Sequence, residues 1–132
     1  MTDSTITEVK GNLGDRTYPI HIGEGILGEI GLYVKRLNLG TKILLVTNPT
    51  VNRLYGQQVT DSLKKHSFDV RVTEMPDGEE YKSLDSARIL YDAAFEHGLD
   101  RRSPVIALGG GVTGDLAGFV AATYMRGVPF IQ

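Results

Sequence analysis

The feature that most constrains the fold is a run of four consecutive apolar residues at positions 43–46, which has polar residues on both sides. A short, wholly apolar run is typical of a parallel β-strand that is buried on both faces. From residue 27 onward, segments of this kind alternate with segments whose apolar residues recur at helical spacing. The alternation predicts an α/β fold in which helices flank a mainly parallel, Rossmann-like sheet.

The helices are predicted from apolar side chains at helical spacing. Residues 6–22 precede them and are predicted to form two extended segments. Gly14 and Asp15 separate these segments, which predicts an N-terminal β-hairpin. Ser83 is the predicted N-cap of a long helix that ends at His97 and Gly98. The apolar faces of the helices are predicted to be Leu27, Ile30, Val34 and Leu37; then Leu54, Val59 and Leu63; then Ala87, Leu90, Tyr91, Ala94 and Phe95.

The composition predicts one globular domain over residues 1–132. The net charge is −2 with scattered lysines and arginines, which argues against nucleic acid as a partner. The chain has no cysteine, so disulfides and thiolate metal sites are excluded, and this composition fits a cytoplasmic protein. The N-terminus lacks the apolar core of a signal peptide, and no apolar run approaches the roughly 20 residues that span a membrane. Because the chain stops at Gln132 on a strand-like segment, we expect a longer natural protein.

A glycine-rich stretch, LGGGVTGDLAG at residues 108–118, joins a predicted strand to a predicted helix. Because Gly109, Gly110 and Gly111 lack Cβ atoms, a ligand could approach the backbone there. The helix, predicted to start near Thr113 or Gly114, would turn its free N–H groups toward a phosphate. The stretch has neither the P-loop lysine nor the position of the usual dinucleotide fingerprint. Two interpretations remain open: a seat for a phosphate-bearing ligand, or a tight strand–helix joint.

Three loops should project from the carboxyl edge of the sheet, where ligands of α/β proteins bind: residues 47–50, 76–83 and 109–115. In the second loop, Glu79 and Lys82 are three residues apart, which suits either a clamp on a ribose or a solvated ion pair. Asp115 either complements the helix dipole or points past the phosphates toward a ribose hydroxyl, an amide or a substrate group.

Arg126 and the three histidines also carry side chains that could bind a ligand or a metal. Arg126, where a buried helix ends, could hold a carboxylate or phosphate, or it could cap the last carbonyl groups of that helix. The three histidines are His21, His66 and His97. Each lacks a partner at metal-ligand spacing, so no metal site is predicted within this chain.

Taken together, PDGEEYKSL and ALGGGVTGDLAGFVAATYMRGVPFIQ resemble the N-terminal part of the 3-dehydroquinate synthase family. The resemblance extends to RTYPIHIG and ILLVTN and so covers nearly the whole chain. It implies an NAD-binding α/β domain, followed in the full-length homodimer by a helical domain that holds zinc or cobalt. It also implies conversion of a phosphorylated keto acid, 3-deoxy-D-arabino-heptulosonate 7-phosphate, to 3-dehydroquinate and phosphate in the shikimate pathway, with NAD as a catalyst.

The resemblance also assigns roles to individual residues of this chain. The implied NAD contacts are Asn48, Asp77, Gly78, Glu79, Glu80, Tyr81, Lys82, Gly110, Gly111, Val112, Thr113, Gly114 and Asp115, and the implied substrate contact is Arg126. The family's metal ligands and remaining catalytic residues would follow Gln132, so we expect no complete catalytic site and no activity from this chain alone. Alternatives are another NAD-dependent sugar-phosphate cyclase, a glycerol-dehydrogenase-like enzyme, and a non-catalytic folding or interaction module.

Overall fold

The computed structural model describes residues 5–132 as an α/β arrangement. The strands are β1 (Thr7–Gly11), β2 (Tyr18–Ile22), β3 (Lys42–Thr47), β4 (Asp69–Glu74), β5 (Val105–Ala107) and β6 (Phe130–Ile131). The helices are α1 (Ile30–Arg36), α2 (Pro49–Val51), α3 (Gln57–Lys65), α4 (Leu84–His97) and α5 (Gly111–Thr123). Within the described residues, no helix combines the length and the apolar character that crossing a membrane requires.

Four strands form the main sheet, in the order β4-β3-β5-β6 with every neighbouring pair parallel. The apolar run at residues 43–46 lies in the interior strand β3, and all four of its side chains are fully buried. Because side chains alternate along a strand, Leu44 and Val46 pack toward α4 and α5, whereas Ile43 and Leu45 pack toward α1 and α3. The predicted parallel sheet with helices on both faces is confirmed.

The predicted hairpin is also confirmed, as a separate antiparallel sheet of β1 and β2 joined through a short 3₁₀ helix at Gly14–Arg16. Its polar face lies toward the rest of the chain, where the ring of His21 is 4.5 Å from the ring of Tyr33 on α1. The opposite face carries the Val9–Ile20 pair, and both of these side chains are exposed to solvent.

Three side chains predicted to face the core are exposed instead. Leu54 lies in a π-helical turn, Asn52–Gly56, between α2 and α3. The wider turn changes the helical phase, so Leu54 leaves the face that carries Val59 and Leu63. Phe95 is 78% exposed because it lies one position beyond the buried Ala94 on α4. Leu37, at the C-cap of α1, is half exposed.

The ends of α4 follow the predicted capping residues. The Ser83 hydroxyl oxygen accepts a hydrogen bond from the Ser86 backbone N–H at 3.2 Å, which satisfies one of the free donors at the start of the helix. At the other end, Gly98 adopts the left-handed conformation, with a φ of 78°, that closes many helices. Ser83 therefore fixes the point at which the second candidate loop turns into α4.

Replacing Ser83 with alanine should lower the free energy of unfolding by about 1 kcal/mol, because the Ser86 N–H loses its acceptor. Urea denaturation followed by circular dichroism would measure the change. Ser83→Asp keeps an acceptor oxygen at the same position and should stay close to the wild-type stability. Equal stability of the alanine and aspartate variants would show that the cap does not contribute.

Candidate functional site

The carboxyl ends of three neighbouring strands open onto one edge of the sheet. In the parallel register, Thr47 of β3 lies opposite Glu74 of β4, and Val46 lies opposite Ala107 of β5. The segments that follow these strands therefore leave the sheet side by side, as predicted. They carry all the candidate site residues except Arg126.

The glycine-rich corner lies between β5 and α5. The helix starts at Gly111, two to three residues earlier than predicted, and its N-cap residue Gly110 provides no side-chain acceptor. The first intrahelical bond of this corner runs from the Gly114 N–H to the Gly110 carbonyl oxygen at 2.9 Å. The N–H groups of Gly111, Val112 and Thr113 therefore have no acceptor within the helix and are free to bind a ligand.

Open space lies beside this corner. A Cβ atom added at Gly110 or at Gly111 would meet no heavy atom within 4 Å. A cavity of about 260 Å³ lies here and is lined by Ala107, Gly109, Gly110, Gly111, Gly114, Asp115 and Gln132. At Gly118, in contrast, an added Cβ would lie 3.2 Å from the Phe130 ring, as expected where a helix packs closely. At Gly109, whose φ is 156°, an added Cβ would lie 2.9 Å from Oγ1 of Thr113, so the tight-joint interpretation holds at that position. Gly110 and Gly111 leave the open space that a ligand seat requires.

An ion pair joins the second loop to the start of α5. The Lys82 ammonium lies 2.7 Å from Oδ2 of Asp115 and 3.1 Å from Oε2 of Glu79. Both contacts raise the pKa of Lys82 above its usual value. The hydrogen bond to Asp115 has the larger effect, and the hydrogen bond to Glu79 has the next largest. Sequence spacing predicted the Glu79–Lys82 contact, but it gave no indication of the Lys82–Asp115 contact between two separate loops.

Asn48 lies at the end of β3, where it is almost fully buried. Its side-chain oxygen accepts a hydrogen bond from the Val51 N–H at 2.9 Å and thereby caps α2. Its amide nitrogen then remains available as a donor. On the neighbouring loop, Asp77, Glu80 and Tyr81 are exposed to solvent.

Arg126 lies apart from the other candidate residues. It ends the 3₁₀ turn Tyr124–Arg126 that follows α5. Because α5 starts at the glycine corner and its 13 residues are about 20 Å long, Arg126 lies at the far end of that helix. The backbone is left-handed at both Met125 and Arg126, with φ angles of 51° and 65°. The Arg126 side chain is exposed and makes no described hydrogen bond to the end of the helix. The structure therefore does not bring Arg126 to the cofactor loops.

The described residues do not form a metal site, because nowhere among them do three or more histidine, cysteine, aspartate or glutamate side chains cluster. The histidines instead make structural contacts. His66 lies 2.9 Å from the Ser62 carbonyl oxygen, and His97 lies 3.0 Å from the Asp69 carbonyl oxygen. The residues that the structure describes thus do not provide a ligand set for a divalent metal.

Comparison with known proteins finds relatives with similar sequences. Residues 72–132 match the family model for the N-terminal region of 3-dehydroquinate synthase. The 3-dehydroquinate synthase of Pelotomaculum thermopropionicum is 58% identical over 121 residues, 92% of this chain and 33% of that protein. The enzyme of Desulforamulus reducens is 60% identical over 121 residues, 92% of this chain and 34% of that protein. The chain therefore spans about a third of the length of these relatives.

The solved structures that are similar to this one include two NAD-bound enzymes. A 2-deoxy-scyllo-inosose synthase in complex with carbaglucose-6-phosphate, NAD+ and Co2+ has a TM-score of 0.83 and 27% identity, over 94% of this chain and 34% of that chain. The 2-epi-5-epi-valiolone synthase ValA of Streptomyces hygroscopicus, with NAD+ and Zn2+ bound, has a TM-score of 0.64 and 32% identity, over 70% of this chain and 26% of that chain. The predicted Rossmann-like fold class is confirmed. By its sequence relatives and its fold, the chain is similar to the N-terminal region of the 3-dehydroquinate synthase family.

Proposed function

We propose that this chain is the NAD-binding region of a 3-dehydroquinate synthase and that the cofactor pyrophosphate lies against the start of α5. The observation that carries the proposal is the open space at Gly110 and Gly111, above a helix start that no side chain caps. Free N–H groups and the positive end of the helix dipole favour an anion there. Two sugar-phosphate cyclases with similar structures hold NAD+, which supports the same ligand for this chain.

The loops around this corner supply the remaining contacts in the proposal. The N–H groups of Gly111, Val112 and Thr113 donate to the pyrophosphate, while the Glu79 and Asp115 carboxylates accept hydrogen bonds from ribose hydroxyls. Asn48 donates its amide to the cofactor from the end of β3. Asp77, Gly78, Glu80, Tyr81, Lys82, Gly110 and Gly114 complete the proposed walls of the site. Bound NAD supplies the chemistry of removing a hydride and returning it.

For the full-length protein, we propose the activity of the 3-dehydroquinate synthase family. The proposed reaction converts 3-deoxy-D-arabino-heptulosonate 7-phosphate to 3-dehydroquinate and phosphate, as a cytoplasmic homodimer with a divalent metal in a second domain. A solved relative that holds a phosphorylated sugar analogue supports this class of substrate. This chain lacks a metal cluster among its described residues, and we propose that it has no synthase activity alone.

Arg126 is a proposed substrate contact, and this role requires one structural condition. Because about 20 Å of helix separates it from the glycine corner, its substrate would have to lie beyond the cofactor loops of its own chain. A site that another part of the full-length homodimer completes would meet this condition.

A second candidate function is that of a different NAD-dependent sugar-phosphate cyclase. The similarity in fold to 2-deoxy-scyllo-inosose synthase favours this alternative, at 27% identity. The relatives at 58% and 60% identity are 3-dehydroquinate synthases, which favours the proposal made here. The non-enzymatic alternative is an interaction module without catalytic activity.

Titration of the chain with NAD, followed by amide chemical shifts, tests the proposal. The amides of residues 76–82 and 109–115 should shift in a saturable way, because these loops line the proposed site. Adenosine, which lacks the pyrophosphate, is the matched control and should leave the amides of Gly111 and Val112 unshifted. Saturating NAD without a change at either loop would support the non-catalytic module.

A further inference from the structure

A second cavity, of about 400 Å³, lies between the β1–β2 hairpin and α1. It shares no lining residue with the glycine corner, and its volume is within the range of sites that hold small molecules. The hairpin contributes Glu8, Lys10 and His21 to its lining, and α1 contributes Tyr33 and Arg36. This cavity is therefore a candidate binding site that is separate from the one proposed for NAD.

Two aromatic rings line this cavity, one from the hairpin and one from α1. The ring centroids of His21 and Tyr33 are 4.5 Å apart, and the angle between the ring planes is 30°. Both residues are partly buried, so the packing of the hairpin against α1 restrains their positions. Aromatic rings attract one another in offset or edge-to-face arrangements. A ligand that carries a planar ring therefore gains from contact with this pair.

The charged groups of the cavity comprise two cations and one carboxylate. Among residues 5–132, neither Lys10 nor Arg36 belongs to a described ion pair. The Glu8 carboxylate is held only weakly, because its Oε2 lies 3.7 Å from Nδ1 of His21, beyond hydrogen-bonding distance. Arg36 ends α1, where a cation complements the helix dipole, but that role leaves its guanidinium donors available to a ligand. The cavity thus presents charges of both signs beside the rings.

We propose that this cavity binds an aromatic α-amino acid. The ring of the ligand contacts His21 and Tyr33. Its carboxylate accepts hydrogen bonds from Arg36 and Lys10, and its ammonium donates to Glu8. A ligand with a carboxylate alone would place a like charge beside Glu8, and a ligand with an amine alone would meet two cations. The inference does not depend on the proposed function, because no residue of the cofactor loops lines this cavity.

Titration of the chain with L-phenylalanine, followed by amide chemical shifts, tests the inference. The amides of residues 8–10, 18–21 and 33–37 should shift in a saturable way. Three matched probes each lack one feature: L-alanine lacks the ring, 3-phenylpropanoate lacks the ammonium and phenethylamine lacks the carboxylate. L-Alanine should cause no saturable shift. Each of the other two should bind about fivefold more weakly than L-phenylalanine, because each loses the ion pairing of one charged group at a solvent-exposed site.

Two variants test which protein group meets each charge of the ligand. Arg36→Gln should weaken the binding of L-phenylalanine and of 3-phenylpropanoate by about fivefold, since both carry the carboxylate. Glu8→Gln should weaken the binding of L-phenylalanine by a similar factor but should not weaken that of 3-phenylpropanoate, which has no ammonium. Arg53→Gln makes the same charge change as Arg36→Gln at an exposed residue that does not line the cavity, and it should leave both affinities unchanged.

The outcomes separate binding at this cavity from a structural effect. Saturable shifts at these residues, with losses of affinity that follow the charge each probe lacks, support the inference. L-Phenylalanine that causes no saturable shift of the wild-type amides overturns it, whether or not the chain binds NAD. Equal losses for L-phenylalanine and 3-phenylpropanoate in Glu8→Gln also overturn it, because they show that Glu8 supports the hairpin and does not bind the ammonium.

Discussion

Replacing Gly111 with valine should reduce the affinity for NAD by about 100-fold or more while the chain remains folded. Gly111 is the first residue of α5, and its backbone conformation is one that other residues adopt readily. Since an added Cβ meets no atom within 4 Å, the valine fits the protein, but its methyl groups fill the space above the helix N–H groups. Helix propensity does not oppose this substitution, because valine is a better helix former than glycine, so the free energy of unfolding should change by less than about 1 kcal/mol.

Calorimetric titration with NAD and urea denaturation of the same samples would measure the two effects separately. Gly111→Ala adds only the Cβ and should have a smaller effect on affinity, which makes it the matched control. A large loss of stability in Gly111→Val would favour the tight strand–helix joint as the reason for these glycines. Wild-type affinity in a folded Gly111→Val variant would exclude the proposed pyrophosphate seat.

The order of elements was predictable because the strongest sequence patterns are also the most buried parts of the structure. The run at residues 43–46 fills the interior strand, and its side chains reach both hydrophobic clusters. Which side chains of each helix face the core was less predictable. In the π-helical turn Asn52–Gly56, the Asn52 side chain lies over Gly56 and donates to Glu74 at 2.6 Å. No local pattern predicts a contact between residues so far apart in the sequence.

The candidate site was also predictable only in part, because some of its contacts join residues that are far apart in the sequence. Parallel strands bring their carboxyl ends to one edge, so the proximity of the three loops followed from the alternation of elements. The direction of Lys82 depends instead on a turn that Gly78 opens with a φ of 133° and that the 3₁₀ helix Glu79–Tyr81 continues. Spacing alone therefore identified Glu79 as a partner of Lys82 and missed Asp115.

The second large effect is expected at a glycine far from the proposed cofactor site. Gly31→Ala should lower the free energy of unfolding by about 2–3 kcal/mol, because α1 and α3 contact each other through their backbones. The Gly31 N–H donates to the Ser62 hydroxyl at 2.9 Å, and that hydroxyl donates to the Gly28 carbonyl oxygen at 2.7 Å. A Cβ at Gly31 would overlap the Ser62 carbonyl oxygen, which belongs to the α3 backbone and cannot rotate away.

Relief of that overlap requires α1 to move away from α3, which opens the cluster formed by Val34, Val59 and Leu63. Gly28→Ala is the matched control, because its added Cβ meets only the flexible end of the Gln58 side chain at 3.3 Å. Urea denaturation of both variants should therefore show a large loss for Gly31→Ala and a small change for Gly28→Ala. Equal stabilities would mean that the two helices can separate without cost, and the packing of α1 against this side of the sheet would then contribute little to the fold.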